Sequence, residues 1–141
     1  MTGLESAKQR LLAGDCTCVL CKDKEVYIST ERGVKPLVAW RESGKDFRGF
    51  FAADKVVGRA TAFLYVLLGV KGIYAHVLSK AGMQVLNERG ILVEYGTLTE
   101  NIINRQGNGI CPFEACVLHE NDENAAYAMI RHKMQEMQIL L

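Results

Sequence analysis

The sequence predicts an α/β domain in which a mixed β-sheet is flanked by helices. Two runs of strand-forming residues on either side of Lys22-Asp23-Lys24 are typical of an antiparallel hairpin. Further along, a strand, a helix and a strand follow one another at the length that a parallel crossover needs. These strands are expected over 16–21, 25–30, 73–78 and 91–94, with the crossover helix over 80–89.

Length and composition favour one domain over residues 1–141. The chain has 141 residues, of which 49% are hydrophobic and two are prolines. Such a chain can bury one good core, and it contains no linker rich in proline, glycine or serine.

Local signals place the remaining elements. Thr2 and Glu5 form a capping box that begins a first helix, which ends near Leu12. Pro36 suits the first turn of a short helix. A strongly apolar helix is expected to begin at Asp54 and to lie at the centre of the molecule. The predicted ranges are a helix over 34–42, a strand over 47–52, the central helix over 54–68, and helices over 99–104, 112–119 and 122–138.

Charge and hydropathy exclude several classes of protein. The 17 basic and 16 acidic residues leave a net charge of +1, and no block of lysine and arginine stands out. We therefore expect no nucleic-acid partner. The longest mostly apolar run, 60–70, is much shorter than the ~20 residues that span a bilayer, so no membrane partner is expected. Five cysteines, an odd number, indicate free thiols in a cytoplasmic protein.

The order of elements resembles the core of a cytidine deaminase, but the metal ligands are missing. Nucleobase deaminases carry His or Cys beside a catalytic Glu on one helix, and Pro-Cys-x-x-Cys at the start of the next, to hold zinc. At the corresponding places this chain has Asp54-Lys55 and Ser79-Lys80-Ala81-Gly82. The sequence therefore predicts a protein with no catalytic zinc and no other cofactor.

Two motifs make the resemblance more specific. The stretch Asp54-Lys55-Val56-Val57-Gly58-Arg59-Ala60 and the later Cys111-Pro112-Phe113-Glu114 resemble an uncharacterised prokaryotic family of small deaminase-fold proteins that lack the zinc signature. The resemblance implies a three-layer cytidine deaminase-like fold with extra C-terminal helices. It also implies candidate site residues, which are Asp54, Lys55, Ser79, Arg105, Cys111 and Glu114.

Cys111 is the candidate nucleophile. Pro112 suits the first position of a helix and Glu114 then falls at the third, so Cys111 lies at the N-cap. A helix N-terminus favours the thiolate form of a cysteine, and Lys55 or Glu114 could assist proton transfer. The alternative is that Cys111 is a small buried apolar residue and that Glu114 returns a hydrogen bond to the N-cap amide.

The other candidates have equally plain structural alternatives. Asp54 could accept a hydrogen bond from a ligand or only cap a helix, and Lys55 could bind an anion or only be solvated. Ser79 is typical of an N-cap, yet two adjacent helix starts form an anion site. Arg105 could clamp that anion or lie on the surface.

The remaining cysteines and histidines indicate packing rather than metal binding. Cys18 and Cys21 have zinc spacing, but on a strand Cys16 and Cys18 would face one side and Cys21 the other. Cys116 and His119 supply only two ligands for a shared metal. His76, within an apolar strand, is expected to be a core histidine.

Three functions remain open. The first is a module that binds a nucleotide-like or other anionic small molecule where the helices begin, using Asp54, Lys55, Ser79 and Arg105. The second is a zinc-independent thiol enzyme with Cys111 as nucleophile. The third is an interaction protein that works through its C-terminal helix, which could also form the seam of a homodimer.

Overall fold

A five-stranded sheet with helices on both faces forms the protein. The computed structural model describes residues 2–141. The helices are α1 (Gly3–Ala13), α2 (Lys35–Glu42), α3 (Arg59–Leu68), α4 (Lys80–Glu88), α5 (Pro112–Cys116) and α6 (Glu123–Glu136), and the strands are β1 (Cys18–Lys22), β2 (Glu25–Ser29), β3 (Phe51–Val57), β4 (Gly72–Ser79) and β5 (Leu92–Thr99).

The sheet is mixed, as the sequence predicts. Its order is β2-β1-β3-β4-β5. Strand β1 runs antiparallel to β2 and β3, whereas β3, β4 and β5 are mutually parallel. The hairpin turns at Asp23, whose φ of 53° lies in the left-handed region that two-residue hairpin turns require. The helices α3 and α4 make the two parallel crossovers.

Helix α1 covers one face of the sheet. The Thr2 hydroxyl accepts a hydrogen bond from the Glu5 amide at 3.1 Å, which confirms the predicted cap. Ala7 and Leu11 are buried against residues that the first, third and fourth strands present on this face. This smaller core contains Val19, Ala53 and Tyr74.

The larger core lies on the opposite face around α3. Most residues of this helix are buried, which confirms that the apolar helix is central. Helices α2, α4, α5 and α6 pack around it. Helix α6 contributes Ala126, Ile130 and Met134 to this core, so one side of the helix packs onto its own domain.

The predicted start of the central helix is wrong. Asp54 lies inside β3, and α3 begins at Arg59 after an N-cap at Gly58. Strand β3 is extended because it is hydrogen-bonded to β1 on one side and β4 on the other. Only Gly58 separates the strand from the helix, so a single apolar run contains both.

The strand expected over 47–52 is also wrong in its position. Phe47 and Phe50 are joined by a turn, in which the Phe50 amide donates to the Phe47 carbonyl at 3.1 Å. This turn places both rings in the core, with their centroids 5.2 Å apart. Strand β3 therefore begins only at Phe51.

Strand β5 is longer than expected and replaces a predicted helix. It continues to Thr99 because every residue from Leu92 to Thr99 except Gly96 pairs with β4. The segment that follows forms no helix over 99–104 and instead makes an isolated bridge between Ile103 and Ile110. Helix α5 is shorter than the 112–119 expected. Among residues 2–141, no helix combines the length and apolar character needed to cross a bilayer.

Candidate functional site

Three helices begin around the carboxylate of Glu114. This side chain comes from α5, and the residue is only 1% exposed. Its Oε1 accepts a hydrogen bond from the Arg59 amide at the start of α3 (2.9 Å) and from the Ser79 hydroxyl at the start of α4 (3.0 Å). Its Oε2 accepts from the Ile102 amide at 3.1 Å. One buried carboxylate therefore joins two helix starts to the segment after β5.

Two glycines allow this close approach. A Cβ on Gly58 would lie 2.5 Å from Glu114 Oε2. A Cβ on Gly82, in the first turn of α4, would lie 2.9 Å from the Gly58 carbonyl oxygen. Larger residues at either position would separate the helix starts from each other or from the carboxylate. We call the arrangement of the α3, α4 and α5 starts around the Glu114 carboxylate the junction. Both glycines are required for its packing.

Arg59 supports the junction from the side of α3. It is 3% exposed, and its guanidinium donates to the carbonyls of Val117 (3.0 Å) and Ala81 (3.3 Å) and to the Asn121 side-chain oxygen (2.6 Å). Burial lowers the pKa of Arg59 from its ordinary value. The guanidinium ties α3 to α4 and to the segment that leads into α6.

Ser79 is the N-cap of α4, as the sequence predicts. It is fully buried, and its hydroxyl oxygen accepts from the Gly82 amide at 3.0 Å while the hydroxyl donates to Glu114. Both bonding capacities of this side chain are therefore used within the protein.

The junction is closed rather than open. Helix starts attract an anion, and here Glu114 supplies one. Throughout residues 2–141, every buried side-chain nitrogen or oxygen has a hydrogen-bond partner. Two open surface grooves, of about 390 and 240 Å³, lie elsewhere: one along α6, and one where the loop before β3 meets the end of α3. Nor do the described residues contain a group of three or more His, Cys, Asp or Glu arranged to hold a metal ion.

Asp54 pairs with Tyr65 in the core and is not part of the junction around Glu114. Its carboxyl accepts a hydrogen bond from the Tyr65 hydroxyl at 2.6 Å and from the Val56 amide at 3.2 Å. Burial raises the pKa of Asp54 to about 7, against the opposing effect of the Tyr65 hydrogen bond. Burial and the nearby Asp54 charge also raise the pKa values of Tyr65 and of Cys18, which is the register partner of Asp54 in β1. Asp54 is therefore a core carboxyl and not a helix cap.

Lys55 lies on the other side of the sheet. Asp54 points to α3, and neighbouring residues of a strand point to opposite faces, so Lys55 faces the side of α1. It is exposed. Lys55 and Glu114 are consequently separated by the sheet.

Cys111 is the half-buried N-cap of α5. Its amide donates to the Ile102 carbonyl at 2.8 Å, so Glu114 does not return the hydrogen bond that a capping box would make. The structure does not bring Cys111, Lys55 and a free Glu114 carboxylate together. Arg105 is exposed in the loop before Cys111, and the hydrogen bonds to Glu114 come from other residues.

Two smaller expectations need correction. Cys16 and Cys21 both lie in the core beneath α1, whereas Cys18 faces the other core, because Cys16 precedes the strand and does not follow its alternation. His76 lies in the second half of β4 and is exposed, so it is not a core histidine.

Comparisons with known proteins identify the family. Residues 6–134 match the model of a family described as TM1506, a domain of unknown function (DUF1893). The chain belongs to the DUF1893 family. No curated protein matches it. The resemblance to an uncharacterised family of small proteins is thereby confirmed.

A solved structure agrees with this assignment. A crystal structure of a DUF1893 family protein (TM1506) from Thermotoga maritima has a TM-score of 0.85 and 26% identity, over 92% of this chain and 88% of that one. A diaminohydroxyphosphoribosylaminopyrimidine deaminase/5-amino-6-(5-phosphoribosylamino)uracil reductase from the same organism has a TM-score of 0.48 and 14% identity, over 82% of this chain and 41% of that one. The second likeness is distant and carries no conclusion about activity.

The two motifs noted in the sequence contribute the residues that build the junction. Gly58 and Arg59 from the first motif meet Glu114 from the second. Sequence reasoning missed Arg59, although an arginine within a strongly apolar run was a usable signal. It also could not give the partners of Glu114, which lie 35 and 55 residues away along the chain.

Proposed function

We propose that this DUF1893 chain is a metal-independent protein that binds a small molecule. In it, Glu114 joins the helix starts that a zinc deaminase joins through its metal. The observation that supports this most directly is the buried Glu114 carboxylate with its bonds to Arg59, Ser79 and Ile102. In zinc deaminases the ligands of the metal come from two successive helices. Here a protein carboxylate takes the corresponding place between α3 and α4.

An anionic ligand at the helix starts is disfavoured by this arrangement. The positive ends of α3 and α4 already hold a negative charge, so an incoming phosphate or carboxylate would be repelled. Displacing Glu114 would break three hydrogen bonds to a charged group, each worth roughly 1.5–3 kcal/mol. A small-molecule site is therefore better sought on another surface.

A thiol enzyme built on Cys111 has less support. A general base must reach the proton that it removes, at about 2.6–3.2 Å or through one water. The Glu114 carboxylate is engaged by Arg59, Ser79 and Ile102, and Lys55 faces the other side of the sheet. Neither group is positioned to activate the thiol.

An interaction surface on α6 is the second candidate function. The outer side of this helix and the residues after it expose Met129, Met137, Leu140 and Leu141. The larger groove runs beside Met129 and is open to solvent. Exposed methionines and leucines around a groove are typical of a surface that adapts to a protein partner, such as a second copy of this chain. Sedimentation of the wild type and of Met129→Lys across concentrations tests self-association.

Ammonia release tests the proposed function against the deaminase alternative. The wild type should release no ammonia from cytidine, whether zinc is added or removed by chelation, because the described residues contain no cluster of ligands of the kind that holds zinc in a deaminase. Ammonia release that disappears in the Glu114→Gln variant would overturn the proposal, because it would make Glu114 a catalytic group. Release restored by added zinc would overturn it as well.

A further inference from the structure

One polar surface of the sheet is left uncovered by α1. This helix packs over β1, β3 and the first half of β4, where Tyr74 closes the small core. Beyond Tyr74, towards the carboxyl ends of the parallel strands, Lys55 and His76 are exposed. Carboxyl ends of parallel strands are where open α/β sheets bind ligands.

The strand register puts three residues of this surface in a row. The pairs on either side, Asp54 with Ala75 and Val56 with Val77, bring Lys55 level with His76, although these two residues are not themselves a register pair. In the same way, the pairs Ala75–Tyr95 and Val77–Thr97 bring His76 level with Gly96. The His76 ring contacts the Tyr74 hydroxyl and so lies on the face of Tyr74. Lys55 is next to Asp54, which points to α3, so the Lys55 side chain is assigned to the same face as His76. We call Lys55, Tyr74, His76 and Gly96 the sheet-face cluster.

The His76 ring is held by Tyr74. The Tyr74 hydroxyl lies 3.1 Å from His76 Nδ1, and Tyr74 itself is only 4% exposed. In the tautomer in which the Tyr74 hydroxyl donates to Nδ1, Nε2 carries the ring proton and can donate to a ligand. The buried Tyr74 therefore orients the His76 ring, while His76 itself remains exposed to solvent.

Gly96 leaves room beside this ring. A Cβ at this position would lie 2.8 Å from the His76 carbonyl oxygen and 3.3 Å from the Tyr74 hydroxyl. Any other residue would push against the Tyr74 and His76 pair. The absence of a side chain at Gly96 keeps the flank of the cluster open.

Charge on this surface favours an anion. The carboxylate nearest the cluster along β5, Glu94, is paired with Lys8 at 3.1 Å, and the Lys8 ammonium lies 4.9 Å from the centre of the Tyr74 ring. Among the described residues, no ion pair engages Lys55. The cluster therefore offers one uncompensated ammonium and an imidazole donor, which suit the acceptor oxygens of an oxyanion.

We propose that the sheet-face cluster binds the oxyanion of a small molecule, a phosphate or carboxylate group, with Lys55 and His76 as its direct ligands. Tyr74 is a positioning residue that holds His76, and Gly96 provides the space. This inference rests on the proposed function, that the chain binds rather than transforms a small molecule. It moves the anion site from the helix starts to the opposite face of the sheet.

Histidine NMR tests the proposal, because His76, His119 and His132 are the three histidines of the chain. Protein labelled at histidine is titrated with inorganic phosphate at constant ionic strength set by sodium chloride. The ring signals of His76 should shift and saturate, while those of His119 and His132 stay in place. Equal, unsaturated shifts of all three rings would overturn the proposal, because they would indicate weak general ion binding.

Variants distinguish phosphate binding at the sheet-face cluster from general attraction of phosphate to surface charge. Lys55→Met should weaken phosphate binding about tenfold or more, which corresponds to the loss of one charge-assisted hydrogen bond. Lys24→Met, which removes an exposed lysine at the hairpin turn, is the matched control and should bind as the wild type does. Equal weakening in both variants would overturn the site. Tyr74→Phe should weaken binding and broaden the His76 signals, whereas unchanged His76 signals would exclude the positioning role.

Titrations with other ligands identify which class of oxyanion the cluster binds. Uridine monophosphate binding more tightly than inorganic phosphate would assign a phosphomonoester, and tighter binding of acetate would assign a carboxylate. Uridine binding as tightly as its monophosphate would overturn the anion site. This experiment can fail while the ammonia measurement still excludes deaminase activity, so the two proposals can be judged separately.

Discussion

The hydroxyl of Tyr65 lies 2.6 Å from the carboxyl of Asp54 in the core of the protein. Asp54 is 7% exposed, and no cationic side chain among residues 2–141 forms an ion pair with it; the Val56 amide also donates to its carboxyl. A buried carboxyl without a cation favours its protonated form, and the pKa of Asp54 is accordingly raised to about 7.

This pair predicts a pH-dependent stability. The pKa of Asp54 is about 7 in the folded protein and about 3.9 in the unfolded chain. The folded state therefore binds more protons between these values, and the contribution of Asp54 to stability is lost as pH rises from about 4 to about 7. The total loss is on the order of 4 kcal/mol, at about 1.4 kcal/mol for each pKa unit. Urea unfolding of the wild type and of Asp54→Asn across this range measures it. Parallel profiles would contradict the prediction.

Removing the Tyr65 hydroxyl should destabilise the protein and move this pH window upward. Tyr65→Phe leaves the Asp54 carboxyl without its side-chain donor, at a cost of about 1–3 kcal/mol. The hydrogen bond from Tyr65 lowers the pKa of Asp54, so its loss should raise that pKa further. Tyr127→Phe is the matched control, because that hydroxyl bonds to the exposed Glu42. A similar loss of unfolding free energy in both variants would argue against a special role for the buried pair.

Much of the sheet is predictable because its signals are local. The hairpin, the first helix and the β4-α4 crossover follow from turn residues, caps and alternation near each element. The sequence predicts that Asp54 caps a helix because one apolar run contains both β3 and α3. Within such a run, the sequence does not distinguish an aspartate that begins a helix from one that is buried in a strand. The hydrogen bonds of Glu114 join residues that are far apart along the chain, and no local sequence pattern predicts such partners.

Cysteine labelling should follow burial. Cys16, Cys18 and Cys21 are buried, whereas Cys111 and Cys116 are half-buried. Burial raises the pKa of Cys116, and its thiol is bonded to the Phe113 carbonyl at 3.3 Å. Brief alkylation at neutral pH, followed by peptide mapping, should therefore modify Cys111 first. If Cys116 or any of the buried cysteines were modified as fast as Cys111, the environments assigned to these thiols would be wrong.

Gly58 should tolerate no side chain. The added Cβ of Gly58→Ala would lie 2.5 Å from Glu114 Oε2, and overpacking of this kind costs about 1–3 kcal/mol. Gly14→Ala is the matched control, because its nearest contact is an ordinary 3.4 Å to the Arg10 carbonyl oxygen. Urea unfolding compares the two variants. Equal stability would mean that the junction has more room than these distances allow.

The unfolding free energy of Glu114→Ala, measured with and without acetate, tests the central claim most directly. The variant leaves the Arg59 amide, the Ser79 hydroxyl and the Ile102 amide without their acceptor, at an expected cost of about 3–5 kcal/mol. The exposed Glu100→Ala should cost less than about 1 kcal/mol. Acetate should restore part of the loss in Glu114→Ala, because it can enter the vacated space and bind only the folded state, whereas chloride at equal ionic strength should not. A Glu114→Ala variant as stable as Glu100→Ala, or one that responds equally to acetate and chloride, would contradict the account.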